Sequence, residues 1–119
     1  MIEMLPGFAP EVVALAAAGR VTKEDYDRVV IPGMAQAFRG RAKIRCYLQV
    51  APDVHFEPGA AWKDFKLGIE HYNGWERVAV VSDVEWLRVA TKVMGVLMPG
   101  EVRVFGQAQA DEAKRWVAG

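Results

Sequence analysis

The chain has 119 residues, 15 basic against 15 acidic for a net charge of zero, and a single cysteine. Residues 1–119 are enough for one domain that buries about two-thirds of its unfolded surface without disulfides or metals. The charge balance excludes a general attraction to nucleic acid or acidic substrates, and no run approaches the ~20 apolar residues of a membrane span.

Met1–Leu5 reads as a short strand ended by the turn Pro6-Gly7-Phe8-Ala9-Pro10, and Val12–Ala18 as its hairpin partner. The apolar start, ending in Ala16-Ala17-Ala18-Gly19, imitates a signal cleavage site, but Glu3 and Glu11 stand where a basic segment is required. Thr22 opens a helix with Glu24 and Asp25 in its first turn, where the dipole favours anions. Tyr26, Val29, Val30, Met34, Ala37 and Phe38 form one helical stripe, which Pro32 must kink or restart, and Gly40 stops it. Arg41, Lys43 and Arg45 are a basic cluster at the join to the next strand. There Ile44, Cys46, Leu48 and Val50 alternate with Arg45, Tyr47 and Gln49, giving one apolar and one mixed face. Helices therefore should not cover both sides of the sheet equally. Cys46 lies in this strand, which points to a buried, reduced thiol and a cytoplasmic protein.

Ala51–Gly59 is the longest irregular stretch and follows the C-terminal end of a strand, where open α/β sheets bind ligands. Trp62, Phe65, Ile69 and Tyr72 mark a helix closed by Asn73-Gly74. Arg77-Val-Ala-Val-Val81 reads as a strand buried on both faces. Ser82 and Glu85 have the spacing of a capping box for the helix that follows, from Val84 to about Met98. That helix leaves only Glu85, Arg88, Thr91 and Lys92 as a narrow polar stripe, so it buries two faces or exposes one. Pro99-Gly100 leads to a strand at Val102–Phe105, completing a βαβ unit. Ala110, Ala113, Trp116 and Val117 give a closing helix.

The element order and several landmarks resemble the SpoIIAA-like family of the STAS superfamily. The landmarks are Thr22-x-Glu24-Asp25-Tyr26, Ala61-Trp-Lys-Asp64, Arg77-Val-Ala-Val-Val-Ser-Asp83 with Trp86, Glu101-Val-Arg-Val-Phe105, and Ala113 with Trp116. The resemblance implies an α/β fold, a STAS-like βα superhelix shared with SEC14-type lipid carriers. Its mixed five-stranded sheet has an antiparallel N-terminal hairpin strand, the other strands parallel, with about four helices. It implies no established reaction. The best-known use of the fold is the anti-sigma factor antagonist, switched by phosphorylation at the start of the second helix. Between Thr22 and Ser82 this chain has no Ser or Thr, so that hydroxyl is missing. Asp53 or Glu57 would be the nearest fixed negative charge.

An enzyme reading starts from Asp53, His55 and Glu57, alternate residues of an extended segment with metal-ligating or acid/base side chains. His71 lies beyond a helix that displaces it by roughly 15 Å, so neither a zinc site nor a nucleophile with its base is complete. The expectation is a non-catalytic module without cofactor or metal. Its surface would be Phe56, Trp62, Phe65, Trp86, Met94, Leu97 and Met98, with the Asp53, His55 and Glu57 loop beside it. Its ligand would be an apolar small molecule or a lipid or membrane surface, or else a protein partner or a second copy in a homodimer.

Overall fold

The computed structural model describes residues 1–57, 74–97 and 100–119. The helix expected around Trp62–Tyr72 lies outside the described residues. Strands β1 (Ile2–Met4), β2 (Val12–Ala17), β4 (Ile44–Val50), β6 (Trp75–Val81) and β7 (Glu101–Phe105) form one sheet in the order β1-β2-β4-β6-β7. β1 runs antiparallel to β2 and the other pairs are parallel, as expected. A second, two-stranded parallel sheet pairs β3 (Arg20–Val21) with β5 (His55–Phe56). The stretch read as irregular therefore holds a strand. Two residues are too few to show alternation, and the pairing is set by Gly19, whose φ of 60° turns the chain.

The first helical segment is α1 (Lys23–Asp25), a π-helical stretch (Tyr26–Val30) and α2 (Ile31–Phe38), which run on without a break. Thr22 caps it: the Asp25 N–H donates to Thr22 Oγ1 at 3.2 Å, and Asp25 Oδ2 accepts from the Thr22 N–H at 3.1 Å. The Thr22 N–H above all holds the Asp25 carboxyl below its ordinary range. Pro32 has no N–H and its ring collides with an α-helical preceding turn. The chain accommodates it by widening that turn, so that the Ile31 N–H reaches the carbonyl of Tyr26, five residues back. Gly40, at φ 73°, ends the helix.

On one side of the sheet, Val13, Leu15, Ala17, Ile44 and Val50 pack against Val30 and Ala37 of the helical segment. On the other, Val12, Ala14, Tyr47, Ala79, Val81 and Phe105 pack against Ala113 and Val117 of helix α4 (Ala110–Ala118). The coverage is unequal, as the mixed face of β4 implies. Helix α3 (Glu85–Leu97) joins the first side, where its Leu87 packs against the core. On the second side α4 is assisted by the turn after β1, whose Phe8 ring stands 5.0 Å from that of the fully buried Tyr47.

The residues at the margin of α4 explain the mixed face. Arg45 donates to the Val117 carbonyl at 2.8 Å and Arg77 to the Trp116 carbonyl at 2.7 Å. Both satisfy carbonyls that the last turn of a helix leaves without partners. The guanidinium groups of Arg77 and Arg103 lie over the Trp116 ring at 5.4 and 5.0 Å. Arg45 also pairs with Glu76 at 3.4 Å, and that hydrogen bond holds the Glu76 carboxyl below its ordinary range. The basic cluster is thus divided among structural tasks, with Arg41 donating to the Ala37 carbonyl at 3.1 Å.

Candidate functional site

The site is built on α3 and the junction that precedes it. At the end of β6 the Ser82 N–H donates to the Phe105 carbonyl at 2.9 Å. Ser82 is fully buried, and its Oγ accepts from the Val84 N–H at 3.0 Å. This is a local turn rather than the expected capping box. The helix starts at Glu85, three residues after Ser82, so the Ser82 hydroxyl bonds the chain before the helix instead of its first turn. Arg88 fastens the junction from within the helix, donating to the Ser82 carbonyl at 2.8 Å.

How α3 is rolled on the sheet decides what it exposes. Leu87, Thr91 and Gly95 recur every four residues and share one face. Leu87 meets the core, and Thr91 is buried with its hydroxyl donating to the Leu87 carbonyl at 2.7 Å. Gly95 lies so close to β7 that a Cβ there would stand 3.1 Å from Cβ of Val102. Thr91 is therefore on the sheet side and not in the polar stripe to which the sequence assigned it. The stripe consists of Glu85, Arg88 and Lys92.

The helix consequently exposes an apolar face. Trp86 is 56% exposed, Val89 57%, Val93 59% and Val96 85%. Their spacings of three, four and three residues place them in one row about 15 Å long. The row lies on the side of the helix away from Leu87, Thr91 and Gly95, so it faces solvent as a convex ridge.

The other expected site residues are placed as follows. Trp86 stands at the head of the ridge. Met94 and Leu97 belong to α3, but their side chains, like that of Phe56 in β5, lie outside the described part of the structure, as do Trp62, Phe65 and Met98 altogether. Asp53, His55 and Glu57 do not converge. Asp53 Oδ1 accepts from the Gly19 N–H at 3.3 Å, the His55 N–H donates to the Gly19 carbonyl at 2.7 Å, and Glu57 pairs with Arg20 at 3.9 Å. They fasten β5 to β3 and the turn before it. Among the described residues no group of three or more His, Cys, Asp or Glu side chains is placed to hold a metal ion. Cys46 is partly buried as a residue, and burial around its sulfur pushes the thiol up to about 12. No helix of the described residues is long and apolar enough to cross a membrane.

Val89, Val93 and Val96 are the functional candidates that the sequence reading left off its surface. Gly95 was the available signal: a glycine inside a helix marks close approach to a neighbour, and that fixes which face is turned inward.

Comparison with known proteins bears on the family and the fold. The sequence signature of the SpoIIAA-like family matches residues 12–118. A crystal structure of an uncharacterised DUF3478-family protein with a SpoIIAA-like fold, from Shewanella loihica PV-4, superposes with a TM-score of 0.76 at 28% identity, covering 98% of this chain and 93% of that one. No protein of curated function matches. With the signature running from β2 into α4 and the same fold in a relative across nearly the whole length, the chain belongs to the SpoIIAA-like family.

Proposed function

We propose that this protein is a non-catalytic binding module that takes up an apolar ligand, a lipid or a similarly apolar small molecule, along the ridge of α3. The observation that carries the reading is the row of Val89, Val93 and Val96, each more than half exposed. Single exposed apolar residues are ordinary, but a continuous row on one helix is a contact surface. Covering it contributes roughly 25 cal/mol per Å² of apolar area removed from water. Trp86 heads the row. Its indole has an apolar body and a polar edge, which suits the boundary between a lipid and water.

The non-catalytic part of the reading is supported by the occupations of the reactive groups. Asp53 and Glu57 are engaged with β3 and its turn, Ser82 with its own junction, and Cys46 is held as a neutral thiol. A phosphorylation switch at the second helix has no hydroxyl to use, since Ser and Thr are absent between Thr22 and Ser82. The neutral thiol fits a reducing cytoplasm.

A second reading rests on the spacing itself. Intervals of three, four and three are those of a helix-pairing seam, so an apolar helix of a partner protein would also fit the ridge. The test is to titrate the protein and its Val93→Glu variant with neutral phosphatidylcholine vesicles and, separately, with a medium-chain fatty acid. Binding to either that falls at least about tenfold in the variant, roughly 1.4 kcal/mol, supports the proposal. Equal binding by both proteins, or none by the wild type, overturns it and leaves the partner helix as the reading to pursue.

A further inference from the structure

Strand β7 is the last strand of the main sheet, and among the described residues nothing hydrogen-bonds to its outer edge. The carbonyl of Phe105 accepts from Ser82, which follows β6, so the backbone groups of Phe105 point inward. Backbone polar groups of successive strand residues point to opposite sides. Those of Arg103 and Glu101 therefore also point inward, and those of Val102 and Val104 point outward, where none of the described residues bonds to them. Natural sheets protect such an edge with charges. Here the charges are one acidic and one basic, Glu101 and Arg103, both exposed and on the same face of the strand. Among the described residues neither has an oppositely charged partner; Arg103 lies over the Trp116 ring.

We infer that β7 is the pairing edge for a second copy of this chain, joined antiparallel about a two-fold axis through Val102. In that register Val102 faces its own counterpart, and the outward N–H and C=O groups of Val102 and Val104 meet those of Val102 and Gly100 in the other copy. Glu101 of each copy then faces Arg103 of the other at the positions between the hydrogen-bonded pairs, where opposed side chains approach most closely. The arrangement makes two ion pairs because the strand carries opposite charges two residues apart. The neighbouring register, centred on Arg103, sets Arg103 against Arg103 and loses both pairs. An isologous contact requires a surface that is complementary to itself, and Glu101 with Arg103 provides it.

The contact does not use the exposed row of α3, so it stands apart from the proposed ligand site. A strand pair of this length buries little area, which makes the dimer weak and concentration-dependent, and salt screens its two rim ion pairs. Sedimentation of the wild type at low salt, over a wide range of protein concentration, should show a monomer–dimer equilibrium. Glu101→Arg and Arg103→Glu each place like charges opposite one another twice, and each should weaken the dimer by about tenfold. The double variant Glu101→Arg with Arg103→Glu restores two opposite pairs and should recover the dimer. Each single variant should still bind phosphatidylcholine vesicles or the medium-chain fatty acid as the wild type does. A wild type that stays monomeric, or a dimer that either single variant leaves intact, overturns the inference. So does a double variant that behaves like the single ones.

Discussion

Helices α3 and α4 lie on opposite sides of the same sheet and treat their apolar residues in opposite ways. In α4 both Ala113 and Val117 are fully buried, the Trp116 ring lies against the guanidinium groups of Arg77 and Arg103, and the last carbonyls are taken by Arg45 and Arg77. In α3 the sheet side carries Leu87, a threonine and a glycine, while Val89, Val93 and Val96 are left in water. A helix that only stabilised the fold would have the reverse pattern. The contrast places α4 in the fold and supports the external contact proposed for the exposed face of α3.

Substitutions can break or sharpen this contrast. The largest effect is expected from Trp116→Ala, which empties the space under Arg77 and Arg103 beside Phe105. It should lower unfolding stability by about 3–5 kcal/mol, measured by urea titration. Gly95→Leu acts on the seat of α3, driving a side chain into Val102, and should cost about 1–3 kcal/mol in the same experiment. If Gly95→Leu is harmless, α3 is not seated as described and its exposed row has no fixed direction.

The pH dependence belongs to the α4 side. The Arg45 hydrogen bond depresses the folded-state value of Glu76 below its unfolded one. Its stabilising contribution is therefore complete above the ordinary glutamate range of about 4.3 and is lost as pH falls through the depressed folded value. Asp25 adds to the loss in the same direction, through its cap on α1. Glu76→Gln should flatten the acid limb of a stability-against-pH curve while leaving the curve near neutrality little changed, because the pair is exposed on the Glu76 side. The smallest effect on stability is expected from Val89→Glu and Val93→Glu. These positions are in water already, so unfolding should move by no more than about 0.5 kcal/mol. A large loss would place them in the core and remove the contrast.

Much of this was legible in the chain. Alternation in Ile44–Val50 and the uncharged run Val78–Val81 after Arg77 located the central strands, and the Thr22 cap and Gly40 bounded the first helix. Three features were not legible, each for a physical reason. The pairing of β3 with β5 is made by backbone groups of two-residue strands, on which side-chain pattern leaves no mark. The Ser82 hydroxyl is equally able to bond a turn or a helix end, and the choice depends on where the chain can begin to coil. The roll of α3 was hidden because apolar residues occupy nearly all of its circumference, so periodicity singles out no inward face. Gly95 against Val102 settled it. The carboxylates Asp53 and Glu57 looked like candidate chemistry because partners such as the Gly19 N–H come from distant sequence.

The proposal that the exposed row of α3 is a ligand surface can be put to a direct test. Native mass spectrometry of the purified protein and of a folded Val89→Glu, Val93→Glu double variant, beside the wild-type sample under denaturing conditions, tests it most directly. An added apolar mass is expected on the wild type, released by denaturation, and none on the folded double variant. Wild type without any added mass, or a double variant that retains the same mass, would contradict it.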